Sequence, residues 1–122
     1  MPDPSFLIVG ASPAASALAS ALARHGAEVA LIDSGSSWSD PGAATALAAQ
    51  GVELRAGLGL VGTLDVGTHV EAELSDGHVE NYDGVVLAGP RLGDDRAPLG
   101  GRVVALDATD ITGLAARLLR VG

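Results

Sequence analysis

The sequence predicts one doubly wound α/β domain over residues 1–122, built on a parallel sheet of five strands in the order 3-2-1-4-5. Short apolar runs that end at a glycine or a charged residue alternate with alanine- and leucine-rich stretches at helical spacing. Two runs of alternating polarity, joined by Ser75–Gly77, predict an antiparallel meander in place of one crossover helix. We therefore expect helices on both faces of the sheet and a meander inserted before the fourth parallel strand.

The first elements form a strand–helix–strand unit. Phe6–Val9 is an apolar run of the kind that is buried on both faces of a parallel sheet, and Gly10 ends it. Ser12 and Pro13 predict a helix start, because a hydroxyl suits the N-cap and proline suits the first helical position. The same patterns predict the later elements. In chain order we expect a strand at 6–9, a helix at 14–25, a strand at 27–32, a helix at 41–50, a strand at 52–56, a meander from 58 to 82, strands at 84–88 and 102–106, and a helix at 109–119.

Composition limits the chemistry. Hydrophobic residues make up 48% of the 122 residues and aromatic residues only 2%, so the core must consist of Ala, Val, Leu and Ile. The chain has no cysteine, which excludes disulfides, thiol catalysis and thiolate metal sites. Its net charge of -8 argues against nucleic acid or an anionic membrane as a partner. Without a basic leader or an apolar run of bilayer length, we expect a soluble, cytoplasmic protein.

The turn after the first strand follows the spacing of a dinucleotide-binding fingerprint, G-x-G-x-x-G/A, with an acid at the end of the second strand. The corresponding residues are Gly10, Ser12 and Ala15, and the acid is Asp33, which lies 23 positions after Gly10. Gly10 permits the sharp turn and Ala15 allows close packing of the helix on the sheet. Ser12 stands where a glycine lets the backbone approach a pyrophosphate, and Pro13 has no N–H to offer.

This turn has two interpretations, and the sequence leaves both open. In the first, the Ser12 hydroxyl and the helix N-terminus bind a phosphate, and Asp33 accepts hydrogen bonds from the ribose hydroxyls, which favours NAD over NADP. In the second, Ser12 only caps the helix, Asp33 is a solvated acid, and the fold has kept its shape without a ligand. The predicted cofactor-binding residues are Gly10, Ser12, Pro13, Ala14, Ala15, Asp33, Ser34 and Gly89.

These motifs make the chain Rossmann-like, and it resembles the NAD(P)-binding domain of pyridine-nucleotide flavoprotein oxidoreductases. The matching segments are F-L-I-V-G-A-S-P-A-A-S-A-L-A, A-E-V-A-L-I-D, G-V-E-L-R, S-D-G-H-V-E, G-V-V-L-A-G-P-R and R-V-V-A-L-D-A-T-D. More narrowly, the chain is similar to the C-terminal nucleotide-binding region of the trimethylamine dehydrogenase and 2,4-dienoyl-CoA reductase group, whose members also carry an Old Yellow Enzyme-like flavin barrel. The chain departs from the family pattern at Ser12, Pro90 and Leu92, and at Leu106, where the family's "G-D" segment has glycine.

The resemblance implies a small non-catalytic subunit of a multi-subunit flavin-dependent oxidoreductase, hetero-oligomeric with a flavin-containing, Old Yellow Enzyme-like catalytic subunit. It implies ADP or NAD(H) in a degenerate site, with FAD less favoured and an empty site as the alternative. The second hypothesis is a stand-alone protein that binds NAD, ADP or FAD. An independent enzyme ranks last, because no catalytic or metal-ligating constellation is visible. His25, His69 and His78 are too scattered along the chain to predict a metal site.

Overall fold

A computed structural model describes residues 4–10, 12–33, 41–88, 103–105 and 111–121. Within these residues, eight strands and three helices follow one another. They are β1 (Ser5–Val9), α1 (Pro13–Arg24), β2 (Glu28–Asp33), α2 (Pro41–Ala49), β3 (Glu53–Ala56), β4 (Leu60–Asp65), β5 (Val70–Leu74), β6 (Val79–Tyr82), β7 (Gly84–Leu87), β8 (Val103–Ala105) and α3 (Ile111–Val121). No described helix has both the length and the apolar character needed to cross a lipid bilayer.

Five strands form one parallel sheet, in the order β3-β2-β1-β7-β8. The predicted order 3-2-1-4-5 counts the parallel strands alone. The three strands of the meander, β4, β5 and β6, come between β3 and β7 in the chain. The fourth and fifth parallel strands are therefore β7 and β8 when all eight described strands are numbered. β1 lies in the middle of the sheet, with Phe6, Leu7 and Ile8 fully buried. A continuous apolar run is therefore required at this strand, since both of its faces are covered.

Different elements pack on the two faces of the parallel sheet. The predicted doubly wound arrangement, with helices on both faces, is therefore wrong for the described residues. One core joins Phe6 and Ile8 to α1, to Leu47 of α2 and to the buried residues of α3. The other core joins Leu7, Val85 and Leu87 to the meander. All three described helices thus contribute to one face, and the three antiparallel strands β4, β5 and β6 cover the other. A meander buries apolar residues on one face only, so it can replace crossover helices as a cover.

The meander follows the predicted alternation. Val70, Ala72 and Leu74 of β5 have no exposed surface, whereas Glu73, which lies between them, is exposed. β5 pairs with β4 on one side and with β6 on the other, with an irregularity in the β4 register between Leu60 and Gly62. The inward face of β5 therefore supplies the second core, because alternate side chains of a strand point to opposite faces.

A polar cluster joins the meander to the edge of the parallel sheet. Arg55 of β3 donates to the Glu80 carboxylate of β6 at 2.8 Å, and the Tyr82 hydroxyl donates to the other oxygen of Glu80 at 2.8 Å. These two hydrogen bonds hold the pKa of Glu80 below its usual value, and that with Arg55 is the stronger cause. Burial, followed by the bond to Glu80, raises the pKa of the Tyr82 hydroxyl. The cluster fixes β6 over β3, although its partial exposure limits its contribution to at most about 1 kcal/mol.

Gly84 of β7 lies directly against the Phe6 ring of the neighbouring strand β1. A Cβ at Gly84 would lie 3.0 Å from Cδ1 of Phe6, 3.2 Å from Cε1 of Phe6 and 3.5 Å from Cδ2 of Leu118. Phe6 is fully buried and Leu118 is nearly so, which leaves little room for either side chain to move. A side chain at position 84 would therefore overpack the core.

We predict that Gly84→Ala lowers the free energy of unfolding by about 1–3 kcal/mol, the usual cost of overpacking. The matched control is Gly62→Ala, because a Cβ at Gly62 would meet nothing within 4 Å and Gly62 does not have a positive φ. Urea denaturation of the two variants measures the difference. Equal stabilities for Gly84→Ala and Gly62→Ala would contradict the tight packing of Gly84 against the Phe6 ring.

Candidate functional site

The candidate site lies at the carboxyl edge of the parallel sheet, where β1 and β2 end side by side. Val9 pairs with Ile32 in the register of these strands. Beyond this pair, the Gly10 N–H donates to the Ile32 carbonyl at 2.8 Å. This bond extends the ladder by one step and brings the turn after β1 next to Asp33. The structure thus brings together two residues that the sequence separates by 23 positions.

The topology makes this edge a place where a ligand is expected. From β1 the chain moves through α1 and β2 to β3 on one side, and it returns through the meander to β7 on the other side. The direction of winding therefore reverses between β1 and β7, and open α/β sheets bind ligands at such a reversal, beyond the carboxyl ends of the strands. The Ala88 N–H donates to the Val9 carbonyl at 2.8 Å, which keeps Ala88 beside the end of β1.

Gly10 has the backbone conformation that the sequence predicts. Its φ is +104°, a region that side chains with a Cβ rarely adopt. The chain needs this conformation to turn from β1 towards α1. Gly10 is therefore required by the turn itself, and its presence does not depend on a bound nucleotide.

Ser12 is the N-cap of α1. Its Oγ accepts a hydrogen bond from the Ala15 N–H at 3.0 Å, and its carbonyl accepts the first helical bond from Ser16 at 2.9 Å. In the dinucleotide-binding fingerprint this position is a glycine. The capping role that the sequence allows is thus present in the structure. The Ser12 hydroxyl oxygen already accepts a hydrogen bond from the Ala15 amide.

The amide groups at the start of α1 determine how well it can bind an anion. A helix has four N–H groups at its N-terminus without partners inside the helix. Here Pro13 has none, and the Ala15 amide already donates to Ser12. The amides of Ser12 and Ala14 remain for a phosphate. Pro13 is exposed and Ala14 half-buried, whereas Ala15 is fully buried and lets α1 pack closely on the sheet.

Asp33 is the last residue of β2 and is half-buried. Its carbonyl accepts a hydrogen bond from the Leu58 N–H at 3.0 Å, and Leu58 belongs to the buried core under the meander. This bond, which the sequence did not predict, fixes the backbone that carries the carboxylate. Of the predicted site residues, Ser34 and Gly89 lie outside the described part of the chain.

A groove of about 580 Å³ lies at the opposite, amino edge of the sheet. Glu28, Glu53 and Glu80 line it, together with Gly26 and Gly51, which follow the C-terminal ends of α1 and α2. Carboxylates and helix C-termini both carry negative charge, so this groove repels phosphates. We therefore place the candidate nucleotide site at the carboxyl edge, where the helix N-terminus lies.

The histidines do not converge on a site. Among the described residues, no group of three or more His, Asp or Glu side chains is placed to hold a metal ion. His25 ends α1, and the His69 ring contacts Thr68. The His78 ring pairs with Asp76 at 2.8 Å in the turn between β5 and β6, and this hydrogen bond raises the pKa of His78 and lowers that of Asp76. The pair stabilises the turn.

Comparison with known proteins establishes the fold. No family model and no curated protein sequence matches the chain. Among solved structures, thioredoxin reductase from Lactococcus lactis is similar, with a TM-score of 0.61, 19% identity, and 75% of this chain and 38% of that chain covered. A pyridine nucleotide-disulfide family oxidoreductase from Enterococcus faecalis is also similar, with a TM-score of 0.61, 15% identity, and 69% and 22% covered.

The tetracycline destructase Tet(51) is a third similar structure, with a TM-score of 0.61, 15% identity, and 70% of this chain and 38% of that chain covered. The chain therefore spans less than two fifths of the length of each of these proteins. It has the Rossmann-like α/β fold that these oxidoreductases and the destructase share. At these identities the similarity extends to the fold and not to a particular activity.

We predict that Ser12→Ala lowers the free energy of unfolding by about 1 kcal/mol, because the Ala15 amide loses its capping acceptor. Ser12→Gly is expected to cost only a few tenths of a kcal/mol, since glycine is a tolerated N-cap. Ser16→Ala, inside α1, is the control and should leave stability unchanged or slightly raised. Urea denaturation tests all three variants. A Ser12→Ala variant as stable as the parent chain would contradict the capping role.

Proposed function

We propose that the chain is a nucleotide-binding domain of an oxidoreductase, which binds the ADP portion of a dinucleotide at the carboxyl edge of its sheet. The observation that carries the proposal is the junction of Gly10, the N-terminus of α1 and Asp33 beside the reversal point of a Rossmann-like sheet. The fold likeness to a pyridine nucleotide-disulfide family oxidoreductase supports the same class of ligand.

The residues of the candidate site offer more to the ribose of an ADP group than to its phosphates. Asp33 follows directly on Ile32, whose carbonyl holds the Gly10 amide, so its carboxylate stands at the correct strand end to accept hydrogen bonds from ribose hydroxyls. The phosphate half has fewer donors, since only the amides of Ser12 and Ala14 remain at the helix N-terminus. When bound, NAD(H) would supply hydride chemistry, whereas ADP would serve as a structural element. We propose ADP or NAD(H) as the ligand and FAD as the less favoured one.

We further propose that the domain acts as a non-catalytic partner of a flavin-containing, Old Yellow Enzyme-like catalytic subunit. This partner rests on the sequence resemblance to the nucleotide-binding region of the trimethylamine dehydrogenase group alone. The structural comparisons add that similar folds occur as parts of chains much longer than this one. The alternative is a protein that binds NAD, ADP or FAD without a catalytic partner.

We predict that ADP and NAD raise the melting temperature of the chain and that NADP does so less, because its 2′-phosphate would meet the Asp33 carboxylate. Ser12→Gly should increase the affinity several-fold by opening the approach to the phosphates. Asp33→Asn should weaken NAD binding about tenfold, as expected for a lost charged hydrogen bond. Calorimetric titration measures each affinity.

Glu28→Gln is the matched control for Asp33→Asn, because it also removes one negative charge but lies at the amino edge of the sheet. Its affinity for NAD should equal that of the parent chain. Nucleotide binding would be contradicted if neither the parent chain nor Ser12→Gly responded to millimolar ADP, NAD or FAD. In that case the capped turn is a feature of the fold alone.

The catalytic partner is tested separately, by purification from the native cells. We predict that the chain co-purifies at a fixed stoichiometry with a protein that contains bound flavin, identified by its absorbance and by mass spectrometry. Recovery of the chain without any flavoprotein would contradict the subunit role and favour the alternative, provided that nucleotide binding is retained.

A further inference from the structure

The end of β2 that carries Asp33 is connected to the meander by a short series of hydrogen bonds. β2 and β3 pair as far as Asp33 and Ala56, and beyond this pair the Leu58 N–H donates to the Asp33 carbonyl at 3.0 Å. Gly57, which lies between Ala56 and Leu58, has a φ of +72°, a conformation that residues with a Cβ rarely adopt. The backbone of Asp33 is therefore held by a segment whose path depends on a glycine.

Residues 57–59, which we call the connecting loop, are held in turn by Ser75 in the turn between β5 and β6. The Gly59 N–H donates to the Ser75 Oγ at 2.9 Å, and the Ser75 N–H donates to the Gly59 carbonyl at 2.9 Å. Leu58, next to Gly59, is buried in the core under the meander. Because two hydrogen bonds join the same two residues, they fix both the distance and the orientation between the connecting loop and Ser75.

The turn that carries Ser75 is closed by hydrogen bonds of its own. The Leu74 N–H donates to the His78 carbonyl at 2.9 Å, and the Gly77 N–H donates to the Leu74 carbonyl at 3.0 Å. The Asp76 carboxylate accepts from the His78 N–H at 3.0 Å. Leu74 has no exposed surface, so the turn begins at a residue that is anchored in the core. Ser75 therefore gives the connecting loop a rigid support.

The placement of the Asp33 carboxylate affects two ligands in opposite ways. A hydrogen bond to a ribose hydroxyl weakens steeply when the distance or the angle between donor and acceptor departs from its optimum. The repulsion of a 2′-phosphate also depends on distance, and it falls when the carboxylate can turn away. A well-held carboxylate therefore favours NAD and disfavours NADP, whereas a mobile carboxylate does less of both.

We propose that Ser75 is a positioning residue for the Asp33 carboxylate and thereby determines the preference of the site for NAD over NADP. The inference rests on the proposed nucleotide site. Ser75 acts through the connecting loop and the backbone of Asp33. Without its hydroxyl, the Gly59 amide loses its acceptor, the bond from Leu58 to the Asp33 carbonyl opens more often, and the carboxylate occupies more orientations. The bonds to the ribose then weaken, and a 2′-phosphate meets less repulsion.

Calorimetric titration of the whole chain with NAD and with NADP measures the ratio of the two affinities. Ser75→Ala should lower this ratio about two- to fivefold, the size expected for one exposed hydrogen bond. Ser75→Thr keeps the hydroxyl and should restore the ratio of the parent chain. Ser20→Ala is the matched control, because it also removes one exposed hydroxyl bond, from the Ser20 Oγ to Gln50 at 2.8 Å, and it should leave the ratio unchanged. A mere loss of stability would lower both affinities equally.

A second pair of variants changes the connecting loop without touching Ser75. Gly57→Ala forces a Cβ into a positive φ and should also lower the ratio. Gly67→Ala does the same at a φ of +93° in the turn between β4 and β5 and should not, although the space around both glycines is open. In the Asp33→Asn variant, Ser75→Ala should no longer change the ratio, because the carboxylate through which it acts is absent.

Hydrogen exchange of the Leu58 amide tests the support of the connecting loop without any nucleotide. Exchange should be faster in Ser75→Ala than in Ser20→Ala. Equal exchange in these two variants would overturn the positioning role and leave the nucleotide site intact. So would equal affinity ratios in Ser75→Ala and Ser20→Ala, or in Gly57→Ala and Gly67→Ala, or an effect of Ser75→Ala that persists in the Asp33→Asn variant. Failure of the parent chain to bind NAD at all would refute the proposed function, and the role of Ser75 with it.

Discussion

The two apolar faces of the parallel sheet are the constraint on which the rest of the structure depends. Phe6 and Ile8 of the central strand point to one face and Leu7 to the other, and none of them is exposed. Burial of each such side chain contributes about 1.5–3 kcal/mol, so neither face can be left to solvent. In the described part of the chain, three helices cover the first face and an antiparallel meander covers the second. The meander has a second, outward face of its own, and this face carries the exposed side chains of Leu64 and Val79.

The same constraint positions the candidate site. The central strand β1 is buried on both faces and ends at the carboxyl edge of the sheet. The chain must then turn sharply to begin α1, which packs on one of these faces. Gly10 supplies the turn with its positive φ, and Ser12 begins the helix by capping the Ala15 amide. The Gly10 amide reaches the carbonyl of Ile32, so the turn lies beside the end of β2 and its carboxylate. The contacts that form the fold are therefore the same contacts that form the candidate site. Gly10 and Ser12 are needed for the turn and for the helix cap whether or not a nucleotide binds.

Electrostatics divides the molecule into two ends of different character. The carboxyl edge presents the N-terminus of α1, which favours anions, although proline and the serine cap reduce the number of its free donors. The amino edge presents Glu28, Glu53 and Glu80 together with two helix C-termini. Arg55 neutralises part of that charge by its bond to Glu80 and thereby also connects the meander to the sheet. The electrostatic field thus favours an anion at the carboxyl edge over the amino edge.

The sequence by itself determined the type and approximate bounds of every described element, because apolar runs, alternation and capping residues act over a few neighbouring positions. It also determined the candidate turn, since Gly10, Ser12 and Ala15 are local to it. Only the tertiary structure decided that the described helices share one face, because periodicity shows that a face is buried without showing what covers it. It also decided that Gly10 lies next to Ile32 and that Arg55 meets Glu80, since these pairs are distant in the chain and their contact depends on strand register. For the same reason, the outward face of the meander could be recognised only after β4, β5 and β6 were aligned.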